Sequence, residues 1–381
     1  MPLYDLSEFF SLSRSLNYNL SSTSSGRYYI LRSIAAHKRM AAQEKGVLMK
    51  ALGLLINSYG AKKRRLGPPA VLHPLRATAI LARAMENLDL LDLLTEMFHD
   101  VFEDIYPFDF GNPQWKGLMQ QEFNEVLGRF DDRAGTILFE RLVSLARRED
   151  ESYYAYIGRM LEEHSEAAAL VRVKLADRLD NTLDMRIDLS DPREDQDFFQ
   201  EIFEVMFLNI ATGPAGELDH PPPAPLNGAW RLYELFKNAV LLSLIRQKVN
   251  YWPGMGFDQL FHGLAVASWN EAKRVFMHVS GYHAKSVGNV RKVLMEAMEY
   301  CYSDRINMVT LPDERFRLDG LFSTYFDHTS PLVRREKLAE LYRDKALMAQ
   351  AAIASVVIFQ SFLHDPEYYI RGISEKGISP T

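Results

Sequence analysis

The stretch that most constrains the fold of this chain is FHDVFEDI, residues 98–105, which follows a strongly apolar segment. We expect one helix over roughly 88–104, and a helix places residues four apart on the same face. His99 would then stack with Glu103, and Asp100 with Asp104. Charged groups of this kind are costly to bury unless a cation neutralises them. The stretch therefore predicts a divalent metal site at this helix end.

Two other segments supply the ligands that this stretch lacks. The segment 71–85 carries His73 at the start of an apolar helical pattern, and the segment 171–185 carries Asp177. With the His-Asp pair at 99–100, they make a set of two imidazoles and two carboxylates. Such a set suits Mn²⁺, Fe²⁺ or Zn²⁺ better than Ca²⁺ or an all-thiolate site.

Composition narrows the function classes. The chain has 381 residues, of which 47% are hydrophobic and 25% charged, so it can form two domains or one large helical one. Its net charge of −6 argues against nucleic-acid binding. The single cysteine, Cys301, indicates a reducing compartment. Neither a signal peptide nor a membrane-spanning apolar run is recognisable, so we expect a soluble, cytoplasmic protein that does not bind membranes.

The hydrophobic periodicity is helical throughout. Apolar residues recur at spacings of three and four, and no alternation typical of strands is sustained, so the predicted fold class is all-α. The predicted organisation is a loosely ordered N-terminal arm over 1–26, a first domain over 27–213, a Pro/Gly-rich linker over 214–228, a helical C-terminal region over 229–370 and a frayed tail over 371–381. The C-terminal helices could cover the first domain, form a homo-oligomer or bind a partner.

Three motifs together resemble a known superfamily. They are HP at 73–74, HDVFED at 99–104 and VKLADRLDN at 173–181. In this order and at these separations they resemble the HD-domain metal-dependent phosphohydrolases, and more narrowly the alarmone hydrolase domain of the RelA/SpoT family. The resemblance covers roughly residues 45–213. It implies an HD-type helical bundle, followed here by a second helical region without a recognisable synthetase domain.

The resemblance also implies an activity and residue roles. The family removes the 3′-pyrophosphate of the nucleotide (p)ppGpp, usually with Mn²⁺. The implied metal ligands are His73, His99, Asp100 and Asp177; the implied catalytic residues are Glu103 and Asp104; the implied nucleotide contacts are Arg64, Arg65 and Asn181. A bound divalent cation would activate a water molecule for attack on phosphorus. The function predicted here is therefore metal-dependent nucleotide pyrophosphohydrolysis.

The sequence departs from the family pattern at several positions. The loop before His73 reads RRLGPPAVLHP and lacks the glutamate and tyrosine that are usual there, while Asp180 and Asp184 replace a histidine and a threonine. We expect Asp180 and Asp184 to lie on a solvated helix face. These departures keep two alternatives open. One is an HD phosphohydrolase that acts on another phosphorylated substrate, and the other is a non-catalytic helical protein that senses a nucleotide.

Overall fold

The fold is taken from a computed structural model. It describes residues 6–21, 26–35, 40–63, 69–85, 89–105, 121, 125, 133–148, 151–162, 166–187, 228–248, 257–303, 305–312 and 315–378. The described part is predominantly helical, which confirms the all-α prediction.

The first group of helices carries all of the described residues that the motifs single out. These helices are α1 Leu6–Ser21, α2 Gly26–Ala35, α3 Ala42–Tyr59, α4 Leu72–Ala84, α5 Leu90–Phe98, α6 Val101–Asp104, α7 Ala134–Leu145, α8 Tyr153–Glu162 and α9 Ala167–Ile187. Helix α9 packs against α4, α5 and α8, so the segments that carry the three motifs are neighbours in space.

The second group of helices begins directly after the predicted linker. Its members are α10 Gly228–Lys248, α11 Asp258–Tyr282, α12 Ala284–Val287, α13 Val290–Tyr302, a 3₁₀ helix Ile306–Thr310, α14 Leu321–Tyr325, α15 Pro331–Arg343 and α16 Lys345–His364. Apart from Gly228, the predicted linker 214–228 lies outside the described residues.

The two groups of helices share one hydrophobic core. Helix α9 contacts both α10 and α11, and a buried polar network crosses the same boundary. Arg178 of α9 pairs with Glu234 of α10, with 2.9 Å between Nη1 and Oε2. The Asn238 amide of α10 donates to Thr182 Oγ1 of α9 at 2.8 Å. The division into two domains stays a prediction, and the described helices on either side of it are tightly packed.

The expectation of a loosely ordered arm over 1–26 is wrong for residues 6–21, which form α1. Phe9, Leu12 and Leu16 recur at three- and four-residue spacing and are buried. The serine-rich composition of this segment conceals that apolar stripe. The Phe9 ring lies beneath the guanidinium of Arg76, with 4.8 Å between the ring centroid and Cζ.

The predicted frayed tail, residues 371–381, begins instead with a small hairpin. Strands β1 Ile373–Ser374 and β2 Gly377–Ile378 pair antiparallel, with Ile373 opposite Ile378. Ile373 is buried and its carbonyl accepts a hydrogen bond from Gln247 of α10 at 2.8 Å. These contacts hold the hairpin against the second group of helices.

Within the described part of the chain, only α16 is long and apolar enough to cross a membrane, with a mean hydropathy of 1.8. However, 67% of its apolar window is buried inside the protein, where it packs against α10, α11 and α13. A core helix passes the same length and hydropathy test, and the burial of α16 favours that interpretation.

Candidate metal centre

Four side chains from three segments converge on one point. His73 lies in the first turn of α4, His99 and Asp100 lie between α5 and α6, and Asp177 lies in the middle of α9. Nε2 of His73 is 3.2 Å from Nε2 of His99, 3.1 Å from Oδ2 of Asp100 and 3.3 Å from Oδ1 of Asp177. Ligand atoms of His73, His99 and Asp177 all lie within 4.8 Å of one another, in an arrangement that could hold a metal ion.

The prediction of one continuous helix over 88–104 is wrong, because the helix breaks between His99 and Asp100. Helix α5 ends at Phe98, and Asp100, with φ −94° and ψ 2°, precedes the short helix α6. In an unbroken helix, adjacent side chains point about 100° apart. The break instead lets both side chains reach the same point, with 3.2 Å between His99 Nε2 and Asp100 Oδ1.

The hydrogen bonds behind the two imidazoles determine what they present at this point. Nδ1 of His99 lies 2.7 Å from the carbonyl oxygen of Glu96, which can only accept, so this nitrogen carries the proton. Nδ1 of His73 lies 2.6 Å from Oδ2 of Asp180 and is placed in the same way. In the neutral rings, both Nε2 atoms then present lone pairs.

The centre therefore consists of electron-pair donors that need a positive charge between them. Nitrogen and oxygen ligands of a divalent transition metal lie about 2.0–2.2 Å from the ion, so neighbouring ligand atoms are about 2.8–3.6 Å apart in octahedral to tetrahedral geometry. The closest separations among the four side chains match that spacing. By donor type and spacing, the residues present fit a divalent cation.

The electrostatics of the cluster agree with this assignment. Burial opposes every charge here, yet His99 and His73 hold the pKa of Asp100 well below its usual range, and Asp100 and Asp177 in turn raise the pKa of His99 well above its usual value. The carboxylates therefore favour a positive charge beside them, either a proton on an imidazole or a cation. Burial also opposes the charge of Asp177, but Lys174 and the two imidazoles lower the pKa of Asp177 well below its usual range. Both carboxylates are therefore ionised at neutral pH and can bind a cation.

Further polar groups contact Asp177. Nζ of Lys174 lies 2.8 Å from Oδ2, and the Asn181 amide donates to Oδ1 at 2.5 Å. Asn181, which the resemblance assigns to the nucleotide, therefore lies directly beside the candidate ligands.

Glu103 and Asp104 follow the cluster but face different partners. Desolvation and the nearby Asp100 carboxylate raise the pKa of Glu103, whose Oε1 accepts from the backbone N–H of Arg147 at 2.9 Å. Asp104 instead pairs with Lys62, with 2.9 Å between Oδ1 and Nζ, and accepts from the Tyr59 hydroxyl at 3.3 Å. Glu103 is therefore electrostatically coupled to the cluster, whereas Asp104 is bound to the end of α3 and the turn after it.

The expectation that Asp180 and Asp184 lie on a solvated face is wrong for Asp180, which is fully buried. Nε of Arg76 lies 2.8 Å from Asp180 Oδ1, and Nη2 of Arg76 lies 2.9 Å from Asp184 Oδ1. Burial opposes the charge of Asp180, but Arg76 and His73 lower its pKa below the usual value. The pattern of α9 alone conceals this, because the neutralising cation comes from α4.

The sequence motifs do not include Glu96, which lies in the last turn of α5, three residues before His99. Its side chain is completely buried, and neither carboxyl oxygen has a hydrogen-bond partner among the described residues. One of these oxygens lies 3.6 Å from Nδ1 of His99. Burial raises the pKa of Glu96 well above its usual value, which favours the neutral form of this carboxyl group. A glutamate three residues before a candidate ligand is the signal that could have revealed it.

The predicted nucleotide contacts Arg64 and Arg65 lie outside the described residues. The residues that flank this segment are described. Lys63 and Pro69 form an isolated antiparallel β-bridge. Lys62, one residue earlier, forms an ion pair with Asp104. The chain therefore leaves and re-enters the described part of the fold close to α6, on the way to His73.

Comparison with known proteins finds a distant relationship over part of the chain. No family model matches the chain. Over 155 residues it is 26% identical to a probable GTP pyrophosphokinase of Mycobacterium leprae (strain TN). The alignment covers 40% of this chain but 18% of the relative, so this chain corresponds to less than a fifth of that protein. Over two fifths of its length, the chain is thus a distant relative of a protein named as a probable GTP pyrophosphokinase.

Proposed function

We propose that this protein is a metal-dependent nucleotide pyrophosphohydrolase that removes the 3′-pyrophosphate of (p)ppGpp or of a closely related nucleotide. The observation that carries the proposal is the convergence of two imidazoles and two carboxylates between α4, α9 and the α5–α6 break. The relative is named as a probable GTP pyrophosphokinase, and this name supports a nucleotide that carries a pyrophosphate group as the substrate.

His73, His99, Asp100 and Asp177 are the proposed metal ligands, and the mixture of imidazole and carboxylate suits Mn²⁺. When bound, a divalent cation lowers the pKa of a water molecule and neutralises charge that develops on a phosphoryl oxygen. Lys174, at 2.8 Å from Asp177, adds a second positive charge beside the site.

Glu103 is the proposed general base. Desolvation and Asp100 raise its pKa, which makes its carboxylate a stronger base that can accept a proton from the attacking water and pass it on. The backbone N–H of Arg147 holds one of its carboxylate oxygens at 2.9 Å, which fixes the direction of the other. Asp104, the second proposed catalytic residue, is bound by Lys62 and contributes by fixing the segment that leads to Arg64 and Arg65. Asn181 and the two arginines are the proposed nucleotide contacts.

A second candidate is hydrolysis of another phosphorylated substrate. The observation that favours it is Asp184, which lies one turn after Asn181 and is 15% exposed at its side chain. It stands where the family has a threonine. A carboxylate at this place repels a phosphate group that a hydroxyl would accept, although its bond to Arg76 reduces the repulsion.

The test is direct. We expect the purified protein, loaded with Mn²⁺, to convert ppGpp into GDP and pyrophosphate, and Glu103→Gln to abolish turnover while Mn²⁺ binding is retained. The proposal is refuted if ppGpp stays intact while an authentic hydrolase cleaves it in the same buffer. Turnover of another member of a panel of nucleotides and phosphomonoesters would then support the second candidate, whereas binding of ppGpp without turnover of any substrate would indicate a sensor.

A further inference from the structure

Behind His73 lies a buried ion pair to which neither the motifs nor the proposed mechanism assigns a role. Asp180 Oδ2 lies 2.6 Å from His73 Nδ1 and also accepts from Arg76 Nη2 at 3.0 Å. Asp180 Oδ1 accepts from Arg76 Nε at 2.8 Å. Asp180 and Arg76 are both almost completely excluded from solvent. The carboxylate therefore accepts hydrogen bonds from one imidazole and one guanidinium at the same time.

This arrangement can control the state of His73. An imidazole that donates through Nδ1 to a fixed acceptor leaves the Nε2 lone pair for a cation, and the acceptor also fixes the plane of the ring. Nε2 of His73 faces Asp100 and Asp177 at 3.1 and 3.3 Å. Without the acceptor, the proton can move to Nε2 and block that position.

Arg76 makes a carboxylate tolerable at this depth. A buried and unpaired carboxylate would be strongly destabilising. The bidentate guanidinium neutralises Asp180 and locks its orientation, and Arg76 itself is held by Asp184 at 2.9 Å and by the Phe9 ring beneath it. The negative charge that faces the cation position then comes from Asp100 and Asp177, while Asp180 acts only through the imidazole.

We propose that Asp180, held in place by Arg76, is a positioning residue of the metal centre that sets the tautomer and orientation of His73 and thereby the affinity for the cation. The inference rests on the proposed function only in assuming that the centre binds a divalent metal. A carboxylate or carbonyl partner behind a ligand histidine typically contributes 10- to 100-fold, roughly, to metal affinity.

The test replaces Asp180 by asparagine and measures Mn²⁺ affinity from the electron paramagnetic resonance signal of free Mn²⁺. Asparagine has one acceptor oxygen, whereas His73 and Arg76 together need acceptors on both sides of the group. We expect Asp180→Asn to weaken Mn²⁺ binding by about 10- to 100-fold.

A matched control separates positioning from general stability. Asp92 of α5 is also buried and is held by two arginines, with 3.0 Å to Arg141 Nη1 and 2.6 Å to Arg172 Nη2, about two helical turns before His99. Asp92→Asn removes a comparable buried, arginine-paired carboxylate and should leave Mn²⁺ affinity within about twofold of the wild type. The inference is overturned if Asp180→Asn keeps wild-type affinity, or if Asp92→Asn loses as much.

A second measurement covers the case in which Asp180→Asn does not fold. Long-range ¹H–¹⁵N spectra of the histidine-labelled wild-type protein with Zn²⁺ report the proton position on His73, whose signal is assigned by its loss in His73→Gln. A proton on Nδ1 supports the inference, and a bare Nδ1 overturns it. A wild-type protein that binds neither ion overturns the metal centre altogether. Metal binding that depends on Asp180, without ppGpp hydrolysis, would support the inference and refute only the proposed activity.

Discussion

Replacement of Glu234 by glutamine tests how the C-terminal helices are attached to the helix that carries Asp177. Glu234 is buried in α10, with Oε2 2.9 Å from Arg178 Nη1 and Oε1 2.8 Å from Lys237 Nζ. Burial alone would raise its pKa, but Lys237 and Arg178 outweigh burial and lower the pKa to about 2. The ionised carboxylate is therefore strongly stabilised by the folded structure.

The magnitude follows from this pKa. A decrease from 4.5 to about 2 corresponds to about 3.5 kcal/mol of stability at roughly 1.4 kcal/mol per pKa unit. Because the folded-state pKa is the lower one, the contribution is complete above the unfolded pKa and is lost as pH falls towards 2. We expect Glu234→Gln to lower the free energy of unfolding by up to about 3.5 kcal/mol at pH 7 and by about 1.4 kcal/mol at pH 3.

The value at pH 7 is an upper limit, because Lys237 can respond to the substitution. Burial already lowers the pKa of Lys237 to about 8, in spite of its pairing with Glu234. In the variant, Lys237 can release its proton and avoid the cost of an unpaired buried charge. Arg178 cannot do so, and keeps the Asn238 side chain and the Glu234 carbonyl as neutral hydrogen-bond partners.

The assay is urea denaturation followed by circular dichroism at pH 7 and pH 3. The control is Glu340→Gln, which removes a half-exposed carboxylate paired with Lys337 and should change stability by less than about 0.5 kcal/mol. The reasoning is refuted if Glu234→Gln costs the same at both pH values, or if it costs no more than the surface control at pH 7.

Three further predictions concern the metal centre and its support. Mn²⁺ at about 100 times its dissociation constant should stabilise the protein by about 2.7 kcal/mol, seen as a higher melting temperature that His73→Ala abolishes; an equal increase in that variant would exclude binding at this centre. Phe9→Ala should cost about 3–5 kcal/mol in a urea titration, since the ring is buried and lies under Arg76, and a cost below about 1 kcal/mol would mean that α1 does not pack as described. With EDTA present, Glu96→Gln should raise the melting temperature at pH 8 and much less at pH 5, because a raised folded-state pKa destabilises the folded protein increasingly as pH rises above the unfolded-state pKa; destabilisation at pH 8 would contradict the raised pKa of Glu96.

The convergence of His73, His99, Asp100 and Asp177 could be predicted because the three motifs and their order are recognisable in the sequence. The break between α5 and α6 could not, since both sides of the break have ordinary helical periodicity and the turn at Asp100 depends on what the side chains reach. Local patterns describe which residues share a face, whereas the final direction of a side chain depends on partners that are distant in the chain.

Asp180 is a second residue whose contacts depend on a partner that is distant in the chain. Within α9 it looks like one of several acidic residues on a charged helix face, and only the arginine 104 positions earlier makes its burial possible. Helix α1 is hidden for a different reason, because Phe9, Leu12 and Leu16 are interspersed with serines and Arg14, which lower the average hydrophobicity.

The adjacent residues Asp177 and Arg178 make contacts in two different directions from a single turn of α9. The first side chain points to the candidate cation, and the second is buried among Glu234 and Asn238 of the C-terminal helices. A fragment that ends before residue 214 would leave that guanidinium without those partners, beside the proposed ligand Asp177. Excision of the first group of helices at the predicted linker should therefore disturb the proposed metal centre, and activity assays should begin with a protein that contains both groups of helices.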